Sequence, residues 1–381
     1  MRIACISSAR VPSENANSIQ VMKVCQALTQ LGHSITLIIP KADNVLDASQ
    51  LAWDSLAAHY GLSDQFEVIA LERSWGKLAR RFFPWRGVWK ALRIKSDVIY
   101  TWLFQTAVGG LLTRRAVILE MHDLPSGRFG GMWYRLFLRL AGQKRLLPIT
   151  HALTQALQQG FSPALREEQV VISPNGVDLE RFEDVLEPSA ARRGLGLPDK
   201  MTIACTGHLY SGRGADLFLA LAAGMPQFHF LWVGGRPRDV EVWRNRSKEI
   251  GLDNVTFAGF VSNKILPRYQ DAADILLMPY RETMGASSGL NPERFFNPMK
   301  MFEYMAAGKP IITSDLPVIR EVLDEEKAVF CSPGDVAGWR AAILQLANDP
   351  ERRETLGRRV RAEVVKYTWV ERARKALQDF I

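Results

Sequence analysis

Residues 201–220 read MTIACTGHLYSGRGADLFLA. An apolar run, Met201–Thr206, gives way to a turn holding three glycines, Gly207, Gly212 and Gly214, and a helical apolar pattern starts at Ala215. Strand, glycine-bearing turn and crossover helix in that order make one unit of a parallel sheet. The same alternation extends outward in both directions. Downstream it predicts strands at 229–233, 255–258, 275–279, 310–313 and 328–331. Upstream it predicts them at 2–6, 34–39, 66–70, 97–102, 116–121, 146–150 and 169–172, with helical patterns between. From Asp178 to Lys200 the alternation lapses into charges, Gly and Pro (EPSAARRGLGLPDK, 187–200) and then restarts. A chain of 381 residues exceeds what one core supports. The lapse therefore marks a boundary between two α/β, Rossmann-like units in series, and in open sheets of this kind ligands bind beyond the carboxyl ends of strands.

Composition narrows the function classes. With 47% hydrophobic and 23% charged residues and no low-complexity tract, the chain is globular. The four cysteines, Cys5, Cys25, Cys205 and Cys331, lie far apart with no C-x-x-C spacing and read as buried, reduced thiols. The first apolar run is too short for a signal sequence, and no stretch approaches the ~18 apolar residues of a membrane span. The expected location is cytoplasmic, or peripheral on the inner face of a membrane. A formal charge of +8 predicts attraction to anions: nucleotide phosphates, lipid headgroups or nucleic acid. The first glycine of the chain is Gly32, so no G-x-G-x-x-G follows the first strand, which argues against a nicotinamide or flavin dehydrogenase. No Walker G-x-x-x-x-G-K-[ST] is present either.

Three segments carry chemistry. In Gly207–Gly214 the glycines let backbone bend around a ligand, and Arg213, just before a helix start, offers a fork of donors to phosphate. Tight βα packing with a surface arginine explains the same residues without a ligand. Asn297-Pro298-Met299-Lys300-Met301-Phe302-Glu303, running on to Gly308-Lys309-Pro310, reads as an Asn N-cap, Pro at N1, a short helix and a Gly stop. Lys300 precedes Glu303 by one turn, the less favourable order for a helix ion pair, which suits a Glu303 bound to a ligand hydroxyl instead. The small-residue loop Gly285–Asn291 either surrounds an oxyanion with backbone amides or is a flexible linker.

The runs GHLYSGRGADLFLALA (207–222), LWVGG (231–235), VTFAGFVS (255–262) and NPMKMFEYMAAGKPIITSDLPVIREVL (297–323) together resemble the donor domain of glycosyltransferase family 4, retaining enzymes of the GT-B fold. The likeness extends to ISPNGVDLERF (172–182), to SENANSIQVMKVCQALTQLGHSITLI (13–38) and to TWVERARKAL (368–377), so it spans nearly the whole chain. It implies two Rossmann-like domains facing across a cleft: an acceptor-side domain at 1–190, a nucleotide-sugar donor domain at 191–364, and a C-terminal helix, 365–381, returning to the first. It implies that Arg213 and Lys300, with Gly207, His208, Gly212, Asn297 and Pro298, hold the donor diphosphate. Glu303 would accept bonds from the ribose hydroxyls, Gly234, Gly235, Phe260 and Val261 would line the nucleoside, and His122 would lie near the sugar. No cofactor is implied beyond the nucleotide diphosphate sugar as co-substrate. Because the chain has no Asp-x-Asp, no metal is expected.

The sequence departs from the family pattern in three places. His208 and Arg213 stand where Arg and Lys are frequent, and Arg213 keeps charge and phosphate geometry. The first of the family's paired glutamates is replaced by Phe295, leaving Glu293 or a loop amide to take its contact with the sugar. The N-terminal Gly-Gly loop becomes Ala16-Asn17-Ser18, which puts Asn17 and Ser18 on the acceptor side.

Residues 73–95 hold eight Lys or Arg and no Asp or Glu, interleaved with Trp75, Phe82, Phe83, Trp85 and Trp89. Such a segment suits an anionic membrane surface, and equally a helix whose aromatics pack inward and whose cations are solvated. No nucleic-acid module accompanies it, so nucleic acid is not an expected partner. The expected partners are a nucleotide sugar and a glycan, lipid-linked glycan or other cell-envelope acceptor. The rival readings are a nucleotide-sugar epimerase of the same fold, separable by release of free nucleotide diphosphate when acceptor is present, and a non-catalytic peripheral membrane protein.

Overall fold

The computed structural model describes residues 1–41, 51–72, 76–282 and 294–380, and for 76–80 the backbone alone. The chain divides into two compact units, Met1–Asn175 with Trp369–Ile381, and Gly176–Thr368.

The first unit has one parallel sheet of strands β1 (Arg2–Ile6), β2 (Ser34–Pro40), β3 (Glu67–Leu71), β4 (Val98–Thr101), β5 (Ala116–Met121) and β6 (Lys144–Pro148), in the order β3-β2-β1-β4-β5-β6. Its helices are α1 (Ala16–Gln30), α2 (Trp53–Tyr60), α3 (Gly76–Arg93), α4 (Phe104–Leu112), α5 (Gly127–Arg139) and α6 (His151–Gly160). Central strands such as β1 and β4 are buried nearly end to end, as strands covered on both faces must be. Crossovers from β3 to β6 all step the same way across the sheet, so right-handed connection puts α3, α4 and α5 on one face.

The expected strand at 169–172 is absent. Glu167–Gln169 forms a 3₁₀ turn and only Val170 bridges to Leu146, because the chain is already leaving the sheet edge toward Pro174.

The second unit repeats the plan with α7 (Pro188–Gly194), β7 (Thr202–Thr206), α8 (Ala215–Gly224), β8 (His229–Val233), α9 (Pro237–Glu249), β9 (Val255–Gly259), α10 (Leu266–Asp271), β10 (Ile275–Met278), α11 (Met299–Ala306), β11 (Ile311–Ser314), α12 (Pro317–Arg320), β12 (Ala328–Cys331), α13 (Val336–Ala347) and α14 (Pro350–Glu363). Its sheet order is β12-β11-β10-β7-β8-β9. In both sheets the strand order reverses beside the first strand, and in the second that switch point lies between β7 and β10.

The division falls at 175/176, ahead of the lapse in pattern that suggested 190/191. Val177 and Phe182 are buried in the second unit's core with Leu179 and Leu197 against it. Arg192, also buried, donates to the Asp274 carboxylate at 2.9 Å. The final helix, α15 (Trp369–Leu377), belongs to the first unit and packs on α1. All four cysteines are buried and unpaired with one another as disulfides. Among the described residues no helix is long and apolar enough to cross a membrane.

Candidate functional site

Four of the expected site segments meet at the switch point of the second sheet. The 207–214 turn leaves β7 and lies against the residues that follow β10: Arg281 N–H donates to Gly212 O at 3.0 Å. Gly214 caps α8 with φ +83°, and a Cβ there would stand 1.9 Å from Pro279 O, so no other residue fits. On the other side Gly207 N–H donates to Val233 O at 2.8 Å, and Gly234, φ +112°, brings the β8 turn so close that a Cβ would lie 2.7 Å from Gly207 O. The glycines at 214 and 234 thus weld three strand ends together.

Two cations converge there. Arg213 Cζ is 5.4 Å and Lys300 Nζ 5.0 Å from the centre of the Tyr280 ring. Lys300 comes from the first turn of α11 and also reaches Cys205 Sγ, 3.7 Å away. Burial pushes the Cys205 thiol up, with Lys300 only partly opposing it, so the sulfur is uncharged at neutral pH. Among the described residues neither Arg213 nor Lys300 meets a carboxylate. A pair of cations next to glycine-freed backbone, at the start of a ten-residue helix, is chemically an anion site.

Around it, His208 stacks on Tyr210 with ring centres 4.9 Å apart and planes 19° apart, and Arg236 covers Tyr210 from β8's side. Val261 is half-buried beside the exposed Phe260 just after β9. Asn297 is buried, but it is not the helix cap: Pro298 takes that position with extended ψ, 124°, and its carbonyl accepts from Met301 N–H at 3.0 Å. Proline's fixed φ suits the turn into the helix, which pushes the start one residue downstream. Phe295, where the family pattern has a carboxylate, is a buried ring with Arg294 above it. The loop Gly285–Asn291 and Glu293 lie outside the described residues, as do 73–75 and the side chains of 76–80 in the basic segment.

Glu303 has a protein partner that sequence reasoning missed. Arg181, in the 3₁₀ segment Leu179–Phe182, approaches its Oε1 to 3.4 Å and anchors the other arm of its guanidinium on Asn263 O. The motif holding Arg181 is visible in the sequence. Its partner lies far along the chain, and no periodicity links the two.

The first unit holds a second polar cluster. Glu120, at the end of β5, has a side chain with no exposed surface. It accepts from Gln20 of α1, from the Tyr100 hydroxyl of β4, from His122 Nε2 at 2.7 Å and from Arg372 of α15 at 2.7 Å. Burial raises its pKa, but Arg372, His122 and Tyr100 more than offset that and hold the carboxyl at about 2. Bonding to that carboxylate puts a proton on Nε2 of His122. Arg372 also donates to Pro174 O at 2.8 Å. Asn17 is exposed in the first turn of α1, whereas Ser18 is buried and donates to Ser13 O and Asn15 O, tying the preceding loop to the helix.

Residues 18–181 match the model described as Glycosyltransferase Family 4, and residues 200–349 match Glycosyl transferases group 1. The chain belongs to glycosyltransferase family 4. Within it, the putative teichuronic acid biosynthesis glycosyltransferase TuaH of Bacillus subtilis is 29% identical over 39% of this chain and 35% of its own. A GDP-mannose-dependent monoacylated alpha-(1-6)-phosphatidylinositol monomannoside mannosyltransferase of Corynebacterium glutamicum is 28% identical over 51% of this chain and 52% of its own. The chain thus spans from about a third to about half the length of these curated relatives. Among solved structures, Anabaena Alr3699/HepE in complex with UDP superposes with TM-score 0.73 at 17% identity, covering 99% of each chain. Sucrose-phosphate synthase from Thermosynechococcus elongatus gives 0.74 at 22% identity, covering 99% of this chain and 97% of that one. At such identities the likeness is one of fold, and the fold is GT-B.

Proposed function

We propose that this family member transfers a glycosyl group from a nucleotide diphosphate sugar to an acceptor, with retention at the anomeric carbon. The observation that carries this is the convergence of Arg213 and Lys300 on Tyr280 beside the Gly207 turn, without a carboxylate partner among the described residues. Breaking the bond between sugar and diphosphate loads negative charge onto the leaving group, and cations held in place before the reaction lower that barrier. In this reading the two side chains and the turn amides meet the charge in place of a divalent ion. Glu303, oriented by Arg181, takes the ribose hydroxyls. Attack proceeds on the face from which the diphosphate leaves, with no covalent nucleophile.

The first unit is assigned the acceptor, with His122 turned by Glu120 to hydrogen-bond a sugar hydroxyl. A glycan, lipid-linked glycan or other cell-envelope precursor is the acceptor class we favour, and a cytoplasmic protein working at the inner membrane face is the setting. Relatives named for teichuronic acid and phosphatidylinositol mannoside synthesis support that class.

The test is thermal stabilisation by uridine, guanosine and adenosine diphosphate sugars. A ligand at ~100 times its dissociation constant adds ~2.7 kcal/mol to stability. Arg213→Ala and Lys300→Ala are expected to melt like the parent without ligand, to lose most of that stabilisation and to cut turnover ~100-fold or more. Full nucleotide stabilisation in both variants would refute the assignment.

A further inference from the structure

Helix α5 is apolar on two sides. Tyr134, Phe137 and Leu138 face the core, while Phe129, Met132 and Leu136, spaced three and four apart on the opposite side, are 54%, 50% and 37% exposed. Helix α3 divides in the same way. Phe83 and Val88 are buried, and Phe82 and Trp89 are 54% and 53% exposed. The aromatics of the basic segment therefore split between the two roles open to them, some packing inward and some standing in water.

The two exposed stripes belong to one surface. Helix α4, between α3 and α5, is short and almost wholly buried, and at Gly109 a Cβ would meet the Trp85 ring at 3.1 Å. Trp85 lies against that bare backbone and touches Trp133 of α5 edge-on, ring centres 5.9 Å apart. A larger residue at 109 would push the outer helices apart.

Charge over this face is of one sign. Neither Gly76–Lys95 nor Gly127–Arg139 contains an Asp or Glu, while Arg93 caps the Trp89 ring at 3.7 Å and Arg128 lies over Phe129. A face that is apolar at its centre and cationic around it, with nothing in the first unit covering it, is a surface built for a partner. A second copy of the same face would set cations against cations. Nucleic acid would meet the charge but has no use for exposed Met132 and Leu136. Interfacial aromatics and aliphatics ringed by cations suit a bilayer whose headgroups are anionic.

We propose that α3 and α5 together form a docking face for an anionic membrane surface. The inference does not rest on the donor-site reading, and the two are measured separately. The full chain is to be sedimented with vesicles of phosphatidylcholine alone and of an equimolar mixture with phosphatidylglycerol. Binding is expected to the mixed vesicles only. Arg128→Gln with Arg139→Gln should weaken it about fivefold per cation removed, and Trp89→Ser with Phe129→Ser roughly tenfold or more. All four positions are exposed, so melting temperature and nucleotide stabilisation should stay at parent values. Val242→Ser with Ile250→Ser, exposed on the second unit, should leave vesicle binding intact. The proposal is overturned by equal binding to both vesicle types, by no binding to either, by binding indifferent to the α3 and α5 substitutions, or by a concentration-dependent dimer that those substitutions dissolve.

Discussion

A carboxylate with no exposed surface, as at Glu120, ionises only if its neighbours replace the water it has lost. Arg372, His122, Tyr100 and Gln20 do so, and the folded carboxyl sits at about 2 against an ordinary 4.5. Because the folded value is depressed, the stability it contributes is complete above the unfolded value and is lost as pH falls from there toward about 2. The shift corresponds to about 3 kcal/mol. Glu120→Gln should therefore melt lower at neutral pH, since it strands a buried arginine at a cost of about 3–5 kcal/mol. It should also flatten the acid limb of melting temperature against pH between about pH 5 and about pH 3. An unchanged acid limb would show that the pair carries no linked stability. His122 beside Glu120 is readable from the sequence, because neighbours in a strand end are neighbours in space. Arg372 is not, because it arrives on the last helix.

At the scale of elements, the β7–α8 turn shows why some turn glycines tolerate substitution and others do not. Gly214 and Gly251 both have positive φ, +83° and +72°, but nothing lies within 4 Å of a Cβ built at 251, while Pro279 backbone occupies the space at 214. Gly251→Ala should cost only ~1 kcal/mol of backbone strain. Gly214→Ala adds a clash with main chain that cannot move without shifting β10, and should cost about 3 kcal/mol or more. Urea unfolding of the two variants checks this, and equal costs would contradict it. The glycines, Arg213, Lys300 and Glu303 were all legible as motif residues. That the turn is clamped between two strand ends was not, nor was the start of α11 at Met299 in place of Pro298, since a helix boundary is settled by backbone angles that several sequences allow.

At the scale of the molecule, the chain leaves the first unit at Asn175 and returns to it at Trp369. The two crossings run side by side, Val177 N–H donating to Tyr367 O at 3.0 Å. Removing residues 369–381 would strip Trp369, Ala373 and Ala376 from the first unit's core and leave Glu120 buried without Arg372. A loss of about 5 kcal/mol or more follows, comparable with a whole domain's stability. Calorimetry of the truncated chain should show the first unit's transition lost or sharply lowered, while nucleotide still raises that of the second. Two transitions at parental temperatures would disprove it.

The order of strands and helices, the switch-point turn and the cationic pair were set by the sequence alone, because each depends on short-range pattern: alternation, glycine at a turn, a proline before a helix. The pairing of Arg181 with Glu303, the reach of Arg372 to Glu120, the attachment of 176–200 to the second unit and the joining of α3 with α5 were decided only by tertiary structure. Each brings together residues distant in the chain, and no local periodicity records which distant partner will occupy the space beside a buried charge or a bare stretch of helix.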